Sequence, residues 1–89
     1  SVPYWQAALP VKLYPNPVRD RFYLEADGTT GRYHLQVMNA LGQEVYSQRM
    51  VLQPGNRVAV AADSWPAGAY WVRLLRDDGQ ASVFKVLVE

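Results

Sequence analysis

The feature that most constrains this chain is its punctuation. Short runs rich in β-branched and aromatic residues are cut by Gly, Pro, Asn and Asp, and no stretch sustains a helical period. Such spacing is expected of a β-sandwich or barrel. It predicts strands near 11–14, 21–26, 32–39, 43–50, 56–61, 69–76 and 80–88, with mostly antiparallel neighbours. Successive strand side chains point to opposite faces, and the alternation is legible. Phe22 and Leu24 share a face, as do Tyr33, Leu35 and Val37, then Val58 and Val60, then Tyr70, Val72 and Leu74. In the last run Phe84, Val86 and Val88 alternate with Val83, Lys85 and Leu87. Both faces of that strand are largely apolar, which predicts cover on both sides.

The breaks are equally readable. Asp27-Gly28-Thr29-Thr30-Gly31 reads as a polar loop, and Asn39-Ala40-Leu41-Gly42 as a tight hairpin. Gln53-Pro54-Gly55-Asn56 reads as a turn, and Asp77-Asp78-Gly79 closes the final hairpin. Asp63 to Gly68 is expected to form one helical turn before the sixth strand. The fold class is therefore all-β: a small Ig-like sandwich of about seven mainly antiparallel strands.

With 89 residues, the chain is read as one domain over 11–89 preceded by a linker end over 1–10, where two prolines and the pair Tyr4-Trp5 show no alternation. A chain this short buries roughly 60–65% of the surface its unfolded form exposes. It contains no cysteine, so disulfides cannot supplement its core. Because it starts at Ser1 and not Met, it is read as a piece of a longer protein.

Nine basic and eight acidic residues nearly cancel, which argues against a nucleic-acid partner, since phosphate binding needs clustered positive charge. His34 is the only histidine. It sits mid-strand opposite the apolar face, so it reads as a solvent-facing residue and not as part of a nucleophilic triad. With neither thiolates nor a second imidazole, no metal cluster of that kind is expected. Asp77 and Asp78 read as turn residues. Nothing calls for a cofactor or an enzymatic role. Trp5, Trp65 and Trp71, with Tyr23 and Tyr46, offer an alternative reading as a carbohydrate-stacking platform, against which stands their value as core rings in a small sandwich.

The most distinctive segment is Leu13-Tyr14-Pro15-Asn16-Pro17. Pro15 and Pro17 fix φ and lack an amide proton. The Asn16 side chain can bond a nearby backbone group. The segment is thus a rigid corner that breaks the first strand.

Tyr14-Pro15-Asn16-Pro17, followed by Asp20 and the Phe22–Leu24 strand, resembles the opening of type A C-terminal sorting domains of the type IX secretion system of Bacteroidetes-type bacteria. The likeness continues in order. It runs through Leu35-Gln36-Val37-Met38-Asn39-Ala40-Leu41-Gly42-Gln43-Glu44-Val45, then Pro66-Ala67-Gly68-Ala69-Tyr70-Trp71-Val72, and ends on Lys85-Val86-Leu87-Val88. It covers about Leu13 to Glu89. Trp65 stands where that family usually carries an aliphatic residue.

The resemblance implies an address label on a secreted cargo, which lies N-terminal in the same chain. Such a domain folds in the periplasm, is recognised by the outer-membrane translocon and is removed at the cell surface by a sortase. Two elements are expected to carry recognition besides the corner of Pro15, Asn16 and Pro17. The first is the terminal strand, whose edge would template strand addition, with Phe84, Val86 and Val88 filling partner pockets and Lys85 opposing a carboxylate or discouraging uncontrolled edge pairing; the alternative is an ordinary core strand with one solvated Lys. Deleting residues 85–89 is then expected to abolish export while leaving most of the sheet folded. The second is the Gly68-Ala69-Tyr70 entry, where Gly68 turns the backbone and Tyr70 packs inward. Exposed strand edges would also permit a weak homodimer, which no residue pattern supports. A passive spacer between domains is a third reading.

Overall fold

The alternation read from the sequence carries through to the backbone. In the computed structural model, which describes residues 9–28 and 30–89, every regular element is a strand. The strands are β1 (Val11–Tyr14), β2 (Arg21–Ala26), β3 (Gly31–Asn39), β4 (Glu44–Leu52), β5 (Arg57–Ala61), β6 (Gly68–Arg76) and β7 (Ala81–Val88). Each lies within two residues of its expected bounds. They form a three-stranded sheet, β1-β2-β5, and a four-stranded sheet, β4-β3-β6-β7. All the ladders are antiparallel.

The chain crosses between sheets at β2–β3, β4–β5 and β5–β6. Neither sheet can therefore close without the other, and the two inner faces meet in one core. Phe22, Leu24 and Val60 from the smaller sheet face Leu35, Val37, Val72, Leu74 and Val86 from the larger, and all are fully buried. Each contributes about 1.5–3 kcal/mol by leaving water.

Two expectations are corrected. Asp63 to Gly68 is not helical; it makes a turn in which the Trp65 N–H donates to the Ala62 carbonyl at 3.1 Å. Pro66 stops any continuation, because it lacks an amide donor and disfavours helical geometry in the residue before it. The last strand is not covered on both sides either. Lys85 is exposed, and Leu87 is 48% exposed. A two-layer sandwich has nothing to place over the outer face of β7.

Leu9 and Pro10, read as a linker end, join the domain. Leu9 is buried in the core, its N–H donates to the buried Ser82 Oγ at 2.9 Å, and the Pro10 carbonyl accepts from Asp27 at 2.7 Å. The rest of the expected linker, with Trp5, lies outside the described residues.

The β3–β4 hairpin shows why its residues suit it. The Asn39 Oδ1 accepts from the Leu41 and Gln43 amides at 2.9 and 3.0 Å, and Gly42 takes φ +81°, a region in which only glycine is unstrained.

Candidate recognition site

The corner that ends β1 does not simply turn the chain. It reaches across to the other sheet and closes the outer edge of β7. Both peptide bonds into proline, Tyr14–Pro15 and Asn16–Pro17, are cis. Between the prolines, the Asn16 Nδ2 donates to the Lys85 carbonyl at 2.9 Å. Its Oδ1 accepts from the Leu87 N–H at 3.1 Å. Val18 continues the contact: its N–H donates to the Leu87 carbonyl at 2.6 Å, and its carbonyl accepts from the Glu89 N–H at 2.8 Å. Val18 thereby forms a parallel bridge with Val88. Its side chain is fully buried. Beside the corner opens a groove of about 420 Å³ lined by Pro15, Pro17, Arg19, Asp20, Arg21 and Tyr23.

The terminal strand is therefore placed differently from the expectation. Val86 and Val88 point into the domain's own core, and Phe84 packs against it. In the folded state the Val86 and Val88 side chains are spent on that core, while Phe84 stays half-buried. Lys85 and Leu87 face outward, and the Lys85 ammonium stands 5.8 Å from the centre of the Trp71 ring. Strand addition over residues 85–89 meets an edge that Asn16 and Val18 already occupy. Truncation at residue 85 also removes Val86 and Val88 from the core, so it is expected to disturb the rest of the sheet as well.

The third element, Gly68-Ala69-Tyr70, opens β6 opposite the end of β7, with Gly68 paired to Val88 and Tyr70 to Val86. Tyr70 is buried, as expected, and its hydroxyl donates to the Pro66 carbonyl at 2.6 Å. A buried phenol needs such a partner, and this one reaches back to pin the turn before the strand. The Trp65 ring packs on Tyr70 at 5.3 Å and on Phe22 at 6.0 Å. The corner, the terminal strand and the β6 entry thus converge on one end of the four-stranded sheet.

A family model for secretion-system C-terminal sorting domains matches residues 12–89. The chain belongs to this family. It is a sorting signal of type IX secretion, a family that is not one of enzymes. No curated protein matches the chain.

In this sorting domain Gly68 has φ +151°, and a Cβ placed there would meet no atom within 4 Å. The requirement for glycine is thus one of backbone and not of space. Gly68→Val is expected to cost about 1–3 kcal/mol and to lower the melting temperature by roughly 5–20 °C, read by thermal denaturation. An unchanged melting temperature together with lost export would instead make Gly68 a contact residue.

The remaining candidates separate. His34 lies on the outer face of the four-stranded sheet, where its Nε2 bonds the Ser47 Oγ at 2.8 Å. Arg49 stands directly across from it in the ladder, and among the described residues no carboxylate is hydrogen-bonded to its ring as a nucleophilic triad would need. Asp78 accepts from the Arg76 guanidinium at 2.8 Å, which holds its carboxyl below the ordinary value and braces the β6–β7 turn. Among the described residues, no group of three His, Cys, Asp or Glu could hold a metal ion.

Among the described residues, Tyr23, Tyr46 and Trp65 do not make one platform. Trp65 and Tyr46 pack together at 6.0 Å. Tyr23 lies on the other sheet, stacked by Tyr14 at 5.7 Å and by the Arg57 guanidinium at 4.0 Å.

Sequence reasoning missed Val18. Its only local signal is an apolar residue directly after the prolines, and nothing local shows that it bridges to a strand 70 positions away.

Proposed function

We infer that this sorting domain is recognised by the type IX translocon at the outer membrane through the end of the sandwich where Pro15, Asn16 and Pro17 meet β7, and that a surface sortase then removes it from an N-terminal cargo. The observation that carries this reading is the hydrogen-bonded union of the corner with the terminal strand, within a family match that spans both. A folded cargo tag needs a surface that a receptor can read without unfolding it. This end offers one: two exposed prolines beside a groove, with Lys85 and Leu87 directed outward.

The sorting family implies interaction with the type IX secretion machinery and transit toward the cell surface or the extracellular space. On this reading the domain passes through the periplasm, and the sortase cuts before Pro10. Proteases need extended, accessible backbone, and from Leu9 onward the chain is part of the sandwich. Against the carbohydrate-binding alternative stands the packing of Trp65, one of its three tryptophans, on the Phe22, Tyr46 and Tyr70 rings.

An export assay tests the reading. Residues 1–89 are fused behind a reporter that carries an inner-membrane signal, and the fusion is expressed with and without a working type IX translocon. Surface reporter in the first strain and periplasmic retention in the second are expected. Retention of well-folded fusion in both strains would move the binding-module reading ahead.

A further inference from the structure

An edge strand presents unpaired N–H and C=O groups, and these recruit further strands. Along an antiparallel ladder both groups of one residue point to the same side, and the side alternates from residue to residue. Both groups of Leu87 point away from β6, to Asn16 and Val18; the Lys85 carbonyl and the Glu89 N–H point the same way. All four of these edge groups are bonded. Two of them are held by a primary amide, the side chain that offers a donor and an acceptor side by side as a peptide does. Asn16 stands between two residues that have no N–H, so its side chain supplies what the local backbone cannot. The arrangement is anchored, because Val18 is fully buried and the corner cannot lift without drawing it out of the core.

We propose that Asn16 and Val18 form a built-in edge guard: they close the terminal strand to strand addition, so the machinery that reads this domain meets β7 through Lys85, Leu87 and the corner, not through its backbone edge. The proposal rests on the sorting reading above. It explains why an apolar terminal strand does not present a sticky edge. It also gives Asn16 a role that a kink alone would not need.

Amide hydrogen exchange on the 89-residue chain tests the guard without any export system. The Val83 amide, on the same edge but beyond the reach of the corner, is the internal reference. The Leu87 amide is expected to be protected at least tenfold more than that of Val83. Asn16→Ala is expected to remove about tenfold of the Leu87 protection, the loss of one hydrogen bond, while the Val86 amide keeps its protection and reports an intact sheet. Equal exchange at Leu87 and Val83 in the wild type, or no change at Leu87 in Asn16→Ala, overturns the guard.

The reporter fusion tests the reading surface. Lys85→Glu with Leu87→Ser is expected to cut export at least tenfold with Val86 protection unchanged, and Asn16→Ala is not expected to raise export. Full export of the double variant, or a rise with Asn16→Ala, overturns the side-chain reading. If the wild-type fusion itself stays in the periplasm, the sorting reading falls, and the exchange result still decides the guard.

Discussion

Phe22→Ala is expected to destabilise the domain by about 3–5 kcal/mol, the largest effect of any single truncation in the smaller sheet. Phe22 sits on the central strand of that sheet, fully buried, opposite Val60. Its ring meets Trp65 at 6.0 Å, and Trp65 in turn supports Tyr70. Removing it opens a cavity and leaves the β5–β6 turn without its base. A domain of this size has only about 5–13 kcal/mol of stability in total, so a substantial fraction of the variant is expected to be unfolded at growth temperature. Urea denaturation with unchanged slope and a lowered midpoint is the expected reading. A loss below about 1 kcal/mol would mean that the two sheets close over the gap, and would refute the packing described here.

Deleting residues 85–89 is expected to abolish both cooperative folding and export. The deletion removes Val86 and Val88 from the core and the partners of Asn16 and Val18 from the edge. It also strips β6 of its pairing at Gly68, Ala69, Tyr70 and Trp71. Lys85→Ala is the control for surface chemistry and is expected to stay within about 0.5 kcal/mol of wild type. Circular dichroism and thermal denaturation of the two variants separate the effects. A truncated chain that still melts cooperatively near the wild-type temperature would show that β7 is dispensable for folding.

Much of the fold was open to sequence reasoning because its signals are local. Tyr33, Leu35 and Val37 announce a strand by spacing alone, and the inward face they predict is the face the structure buries. Pro54 and Gly55, or Asp77 to Gly79, mark turns by their own backbone preferences. Local signals also misled. Asp63 to Trp65 has the composition of a helix start, yet Pro66 and the ring contacts of Trp65 set a turn instead. Leu87 looked like core by its apolarity, and it lies on a face that no third layer covers.

The candidate site was only half legible. Its parts stood out, since a Pro-Asn-Pro corner, a Gly-Ala-Tyr entry and an apolar end are each unusual in their surroundings. Their union did not, because the two bonds of Asn16 join positions 69 and 71 residues apart. An asparagine between prolines says that its amide will bond something near; it does not say what.

The sequence by itself determined which residues become strands, which side of each strand is apolar and where the chain turns, because periodicity and backbone preference act over a few neighbouring residues. Only the tertiary structure decided the rest. It placed β2 beside β5 and β3 beside β6, seated Leu9 and Val18 in the core, and laid the Asn16 amide along the edge of the last strand. These choices are made by which surfaces can exclude water together and which hydrogen-bonding groups remain to be satisfied once they do, and both depend on the whole chain at once.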